Sequence, residues 1–529
     1  MKRIILIINV IAAISISQAQ NNNNQKKNNI TEFIKVKLNE RYGLFDNTGK
    51  EILQPIYDGI SITDDDEIGL YLNNKAGYIN KKTRKVIPLI YDWVDSFDED
   101  LARVKIKDKF GYINREGKLV IGAIYCNAES FSEGLAMVSF SNKKSGFIDK
   151  TARIVIPFEY DNYWERFKLG IAKVNKNDKE AIIDKTGKVL TGFKYDDVFT
   201  SASGYSEVRI GKKCGFIDKT GVNITAVKYD DVAAFQNGIA EVVLNKKHGC
   251  IDEVGREIIP LVYSEIFPFF NGIAKVELNH KYGVINKAGK EIIPVKYDAI
   301  KTFTENLAPA KLNGKWGIID SNDNKVIDFK YDKIIYCAKD IFAVGKYKDE
   351  DTWRPELVWG LINIKGQEIL DFKYTSIGKL SEGMLRVQFG EGGFKKYGSD
   401  DAPIILQNMG KAGFIIVNGK EVIKPIYDNV KDFSEGLAAV LIIKDKDMRW
   451  GFIDKEGKTV INLKYENVES FKNGITRVQL NGKWGIIDRT GKEIVPIKYD
   501  WIDGISNKNQ YENENVSDKE FEELYESAF

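Results

Sequence analysis

Histidine is nearly missing from this chain: its 529 residues include two, His248 and His280. Zinc sites and Ser–His–Asp centres need imidazoles at defined spacings, and neither residue has such neighbours in sequence. His248 is expected as a packed or half-exposed ring and His280 as a solvated one beside a turn. Cysteine is scarce too. Four residues, Cys126, Cys214, Cys250 and Cys337, cannot frame so long a chain with disulfides. They read as small apolar side chains. A bridge between Cys214 and Cys250, which share a strand phase in neighbouring segments, stays open. Neither sign of charge dominates: 78 Lys and Arg face 76 Asp and Glu, and Lys2 and Arg3 account for the excess of +2. This leaves no basic field for nucleic acid, and interspersed charges of both signs read as solvated surface. Beyond residue 16 no apolar run approaches the length of a helical membrane span. Gly390, Gly392 and Gly393 lack the spacing and strand-to-helix setting of a phosphate loop.

The first residues differ from the rest. Lys2 and Arg3 precede an apolar run, Ile4 to Ile16, and then Ser17-Gln18-Ala19. This is the plan of a secretory signal cut after Ala19. Residues 20–32 read as a flexible leader rich in Asn, Gln and Lys. The mature chain is therefore expected in the periplasm or outside the cell. At the other end, residues 506–529 form an acidic tail. Its Ser517-to-Glu520 capping box and the spacing of Phe521, Leu524, Tyr525 and Ala528 predict a short capping helix.

Between these ends the chain repeats. Gly stands at positions 43, 77, 111, 146, 215, 249, 283, 317, 360, 413, 451 and 485, mostly after an aromatic residue, and a Tyr follows each at a fixed distance, from Tyr57 to Tyr499. A further unit keeps Tyr195 but has Ala181 in the glycine place. A period of roughly 34 residues marks a repeat architecture. Each unit opens with a short apolar run such as Trp484 to Asp488. An Asp-x-x-Gly turn and a second strand follow. After the Tyr comes an aromatic–turn–strand segment, as in Phe131 to Ala136. The strand alternates, with Ala102, Val104 and Ile106 on one side and Arg103 and Lys105 on the other. Asn313-Gly314 and Asn481-Gly482 then turn the chain into the next unit. Neighbouring apolar residues such as Phe452 and Ile453 imply that the first hairpin is buried on both faces. One meander is marginal alone, so stacking must supply the core. The fold class is all-β: about thirteen tandem meanders over residues 33–505. An open solenoid-like array is favoured because the unit count exceeds one propeller ring, with tandem propellers as the alternative.

Trp316-Gly317, Trp359-Gly360, Trp450-Gly451 and Trp484-Gly485, followed by Ile-Asp, x-x-Gly-Lys-Glu, Pro and Tyr-Asp, resemble the WG-repeat family of bacterial proteins. The resemblance spans nearly all of the mature chain. It implies a repeat module, often exported, with no common enzymatic activity.

The many carboxylates recur at two fixed places, the hairpin turn and the residue after the Tyr. They read as turn caps rather than calcium ligands or a glycosidase pair. No cofactor and no metal is expected. The reading is a non-enzymatic recognition or scaffold protein whose partner is a protein or a cell-envelope glycan. Trp316, Trp359, Trp450 and Trp484 are the candidate ligand-stacking rings. The alternative is an enzyme acting on extracellular polymer. Its site would lie in the irregular segment 345–413, which holds Trp353, Trp359, Asp400 and Asp401.

Overall fold

The computed structural model describes residues 33–503, apart from 63–66, 82–85, 141–143, 162–164, 202, 349–355, 391–409 and 446. The helix expected within 506–529, the signal over 1–19 and the leader over 20–32 lie outside the described residues. Among those described there are 49 strands in twelve small sheets, with no helix. Most sheets are four-stranded meanders that begin just after one Tyr and end on the next. A typical one runs Ala299–Ile300, Leu307–Leu312, Lys315–Asp320, Lys325–Tyr331. The chain forms two compact units. One joins the residues up to 56 with those from 429 onward, and the other is 57–428.

The recurring glycine is explained by a bulge in the fourth strand. In the sheet holding Trp316, the register runs Trp316↔Tyr331, Ile318↔Ile327 and Ile319↔Lys325. Three residues of the returning strand therefore lie opposite Gly317 alone. The bulge carries backbone across the glycine: a Cβ at Gly317 would sit 2.5 Å from the Ile327 carbonyl oxygen. Gly77, Gly111, Gly146 and Gly451 show the same encounter at 2.5–2.6 Å. The residues just after the glycine are buried on both faces, as expected; Ile318, Ile319, Ile486 and Ile487 have no exposed surface. The third strand alternates as its sequence requires, with Ala102 and Val104 fully buried and Arg103 and Lys105 half-buried.

The unit with Ala181 lacks the glycine and also the regular fourth strand. It keeps only the bridges Glu180↔Tyr195 and Ile183↔Val189. Thr191 takes the place of the buried Ile, and its hydroxyl accepts the Ile182 N–H at 3.1 Å. Thr225 does the same for Phe216 in the next unit, at 3.0 Å. A side chain there supplies the acceptor that a strand carbonyl supplies elsewhere.

The turn carboxylates act as caps. Asp184 accepts the N–H groups of Thr186 and Lys188 at 2.9 and 3.0 Å and the Thr186 hydroxyl at 2.6 Å. Asp488 repeats this with Thr490 and Lys492. The carboxylates after the Tyr join one unit to the next. Asp196 accepts Lys179 Nζ at 2.5 Å and the Gly211 N–H at 2.6 Å. Asp161 accepts Lys144 Nζ at 2.7 Å and the Asn177 N–H at 2.8 Å. The Tyr ring is buried and its hydroxyl can reach the following turn, as Tyr91 does by donating to the Gly117 carbonyl at 3.0 Å.

These hydrogen bonds hold the carboxyls below their ordinary pKa. The Lys144 bond is foremost for Asp161, Lys179 for Asp196 and the Thr186 hydroxyl for Asp184. A carboxyl depressed in the folded state stabilises the fold above its unfolded pKa and ceases to as pH falls through its folded value. The melting temperature should therefore hold steady down to about pH 5 and fall below about pH 4. Asp161→Asn should melt lower at neutral pH and show a shallower acid decline; an unchanged decline in several such variants would assign acid lability elsewhere.

In the unit formed by the chain's two ends, the strand Phe33–Leu38 pairs with Trp501–Ile502, through Val36↔Ile502 and Lys37↔Trp501. Asp500 accepts the Asn39 N–H at 2.7 Å, as its counterparts accept the turn of their own following unit. The rings of Phe45 and Tyr499 meet edge-on at 5.9 Å. The first strand thus supplies what the last unit lacks. The open array favoured on unit count would leave these end strands apart; here they share a sheet, with Phe33–Leu38 as a strap on the last unit, the arrangement of the propeller alternative.

Candidate binding cleft

Two stretches depart from the repeat background in the same way. Tyr91-Asp-Trp-Val-Asp95 and Tyr499-Asp-Trp-Ile-Asp503 place Trp two residues after the Tyr, where the other described units carry Gly, Asn, Asp, Glu, Ala, Lys or Ser. Register converts this into a site. Trp93 pairs with Lys105, and Lys105 pairs with Phe110, so the three stand side by side across three strands on one face. Trp501, Lys37 and Tyr42 form the same row in the other unit. Phe110 and Tyr42 occupy the aromatic place before the recurring glycine. Among the described residues, these two rows alone have aromatic residues on both sides of a lysine.

The Trp93 and Phe110 rings are 6.1 Å apart and nearly perpendicular. Lys105 Nζ lies 5.8 Å from the Phe110 ring, and the Arg103 guanidinium 5.4 Å from Trp93. Arg103 is fully engaged. It donates to Asp95 through Nε at 3.0 Å and through Nη2, and to the Ala128 carbonyl through Nη1 at 2.6 Å. In the second row Lys35 Nζ lies 5.6 Å from Trp501 and 3.9 Å from Asp503. Lys37 Nζ is 5.6 Å from Tyr42 and 2.6 Å from Glu40, whose hydrogen bond raises the lysine pKa. The first row floors an open groove of about 820 Å³, rimmed by Asp92, Lys107, Asp108 and Glu129. Asp92 is committed to Lys75 Nζ and the Lys107 N–H. The groove therefore offers ring faces and lysine N–H groups to a ligand.

The WG tryptophans occupy the same row position as Phe110 but face other partners. Across their rows stand Ala299 for Trp316, Lys333 for Trp359, Asn429 for Trp450 and Asn467 for Trp484. Trp316, Trp450 and Trp484 are half-buried beneath Lys301, Lys431 and Arg477, at 5.0, 5.6 and 4.6 Å. Trp359 is 8% exposed and packs with Leu361, Tyr374 and Ile377. The four lie in four different sheets. Sequence reasoning found the ring before the glycine and missed its partner; the signal was the duplicated Tyr-Asp-Trp-x-Asp.

Of the residues weighed for chemistry, Trp353, Asp400 and Asp401 lie outside the described residues. His248 is half-buried with Nδ1 2.5 Å from Glu241, and His280 is solvated at a turn. Among the described residues, no group of His, Cys, Asp and Glu is arranged to hold a metal ion. All four cysteines are free thiols, which answers the question of a Cys214–Cys250 bridge. Burial pushes Cys214 and Cys337 up to about 11 and Cys250 up to about 12. Cys126 is half-exposed beside Lys109 Nζ at 2.9 Å. A thiol reagent at neutral pH should titrate one group in the folded protein and four in denaturant; rapid reaction of more than one in the folded state would contradict this packing.

The chain matches the WG containing repeat family over thirteen stretches, beginning with 42–70 and 77–110 and ending with 450–484 and 484–509. No curated protein matches it. Solved structures with fold similarity include a eukaryotic initiation factor, at 10% identity over 69% of this chain and 97% of that one, TM-score 0.30. Another is PorZ, a surface component of the type-IX secretion system of Porphyromonas gingivalis, at 8% identity over 85% and 77%, TM-score 0.22. A third is the extracellular domain of a putative one component system of B. thetaiotaomicron, at 9% identity over 87% and 75%, TM-score 0.20. Meanders built around a crowded glycine and closed by a buried tyrosine, and the family match along nearly their whole length, place this chain in the WG containing repeat family.

Proposed function

We propose that this chain is an exported, non-enzymatic recognition or scaffold protein that binds a protein or glycan along its repeats. The observation that supports this most is the contrast between two sets of residues. The recurring Asp, Lys and Tyr side chains hold units together, while the Trp93–Lys105–Phe110 row breaks the repeat pattern and floors an open groove. Aromatic faces beside cationic N–H groups suit ligand contact. Trp316, Trp450 and Trp484 serve as lesser stacking positions. Trp359 contributes packing. Export rests on the signal read in residues 1–19.

The test is a binding screen of the chain from residue 20 onward against purified envelope polysaccharides and surface proteins. Trp93→Ala with Trp501→Ala should weaken binding by at least about tenfold while the melting temperature is kept. Unchanged binding by that folded variant would remove the cleft from the reading. A survey in which no polymer binds the parent chain would remove the reading itself.

A further inference from the structure

We infer that the two tryptophan–lysine–aromatic rows are equivalent sites, two per chain, for a carboxylated sugar residue within a polysaccharide. The inference rests on the recognition reading above and names the ligand class. Equivalence extends past the rings: Arg103 corresponds to Lys35, Asp95 to Asp503 and Asp92 to Asp500. One row lies within 57–428 and the other in the unit of the chain's two ends, so each row is contained in a single unit.

The ligand class follows from which cation is free to leave its partner. Arg103 is tied to Asp95 and to the Ala128 carbonyl and holds the Trp93 ring in place. Lys105 is carried by the strand between those of Trp93 and Phe110, and the acid it meets is Asp108, at 3.2 Å and 94% exposed on a turn tip. Lys37 meets Glu40, which is 85% exposed on the corresponding turn. Ion pairs this open to water hold their partners weakly, so an incoming anion displaces them at little cost. A hexuronate presents what the row accepts. Its C–H face lies on an aromatic ring, and the carboxylate at its edge takes a charge-assisted hydrogen bond from the lysine. Small ligands are usually enclosed. The open groove of about 820 Å³ at the Trp93–Lys105–Phe110 row suits one residue of a continuing polymer instead.

Calorimetry on the chain from residue 20 onward tests this with three probes: a short oligogalacturonate, its methyl ester, and a poly-glutamate peptide. The acid oligosaccharide should bind with a stoichiometry of two, weakening as salt rises. Trp93→Ala should leave one site, and Trp93→Phe should keep both. Lys105→Gln with Lys37→Gln should weaken the acid form by about tenfold and leave any binding of the ester unchanged. Circular dichroism and melting establish that each variant is folded, and thermal shift with the same probes gives a second readout. Equal affinity for the ester, preference for poly-glutamate, or two sites surviving in folded Trp93→Ala would each overturn the inference while leaving a recognition role standing. Failure of the parent chain to bind the oligogalacturonate would overturn it as well. If it bound neither of the other probes, the cleft would also lose its place in the recognition reading.

Discussion

Gly317→Ala should cost about 2–4 kcal/mol of stability, while Gly314→Ala, three residues earlier, should cost about 1 kcal/mol. The two glycines are needed for different reasons. Gly314 has φ +81° in a hairpin turn, and a Cβ there would meet no atom within 4 Å. Its replacement meets only the backbone preference against the left-handed region. Gly317 has ordinary φ, but its Cβ would lie 2.5 Å from the Ile327 carbonyl oxygen and 2.9 Å from a Phe329 ring carbon. The oxygen belongs to backbone between two fully or nearly fully buried isoleucines, Ile318 and Ile327, and cannot rotate aside. The fourth segment gives up its ladder in the Ala181 unit and equally in the Gly215 unit, and in both a threonine, Thr191 or Thr225, supplies the acceptor instead. Urea unfolding, with hydrogen exchange at Ile318 and Ile327, measures both effects. Equal costs at the two positions would mean that the bulge does not dictate the glycine.

Val36→Asp should be more damaging, at about 3–5 kcal/mol, and its damage should centre on the unit of the chain's two ends. Val36 has no exposed surface and pairs with Ile502. It sits in a cluster with Ile34, Phe45, Val495 and Tyr499. An aspartate there buries a charge with no cation in the cluster. The strand that completes the final sheet would separate, freeing the Asp500 and Asp503 N–H groups now bonded to Lys37 and Lys35 carbonyls. Exchange protection at Trp501 and Ile502 should fall to that of an open edge, while a unit such as Leu307–Tyr331 keeps its own. Undiminished protection at Ile502 would show that the strap is dispensable. Lys37→Ala, by contrast, should leave this unit intact, because the Lys37 side chain meets only the exposed Glu40 and, at 5.6 Å, the Tyr42 ring.

Much of this fold was legible because its determinants are local. The two-residue hairpin at Asn313-Gly314 follows from residues that tolerate positive φ, and both have it. The turn carboxylates were legible as caps for the same reason, and Asp184 and Asp488 bind their own turn backbone. The alternation of Leu101–Ile106 announced its buried face. The reason for the glycine was not legible, because the bulge that crowds Gly317 is set by the register between two strands. The binding row was hidden for a related reason. Phe110 could be read in its repeat slot, but Trp93 becomes its neighbour only through a third strand carrying Lys105.

By itself the sequence determined an all-β chain of tandem meanders, its turn types and the phase of its buried strands. Each of these depends on short-range backbone preference and on the period of apolar residues, which are properties of neighbours along the chain. Only the tertiary structure decided that Phe33–Leu38 pairs with Trp501–Ile502 and that two lysines lie on strands flanked by aromatic residues. Those outcomes depend on register and on which strand completes a sheet. Many near-identical units offer nearly the same local edge, and only the packed whole selects among them.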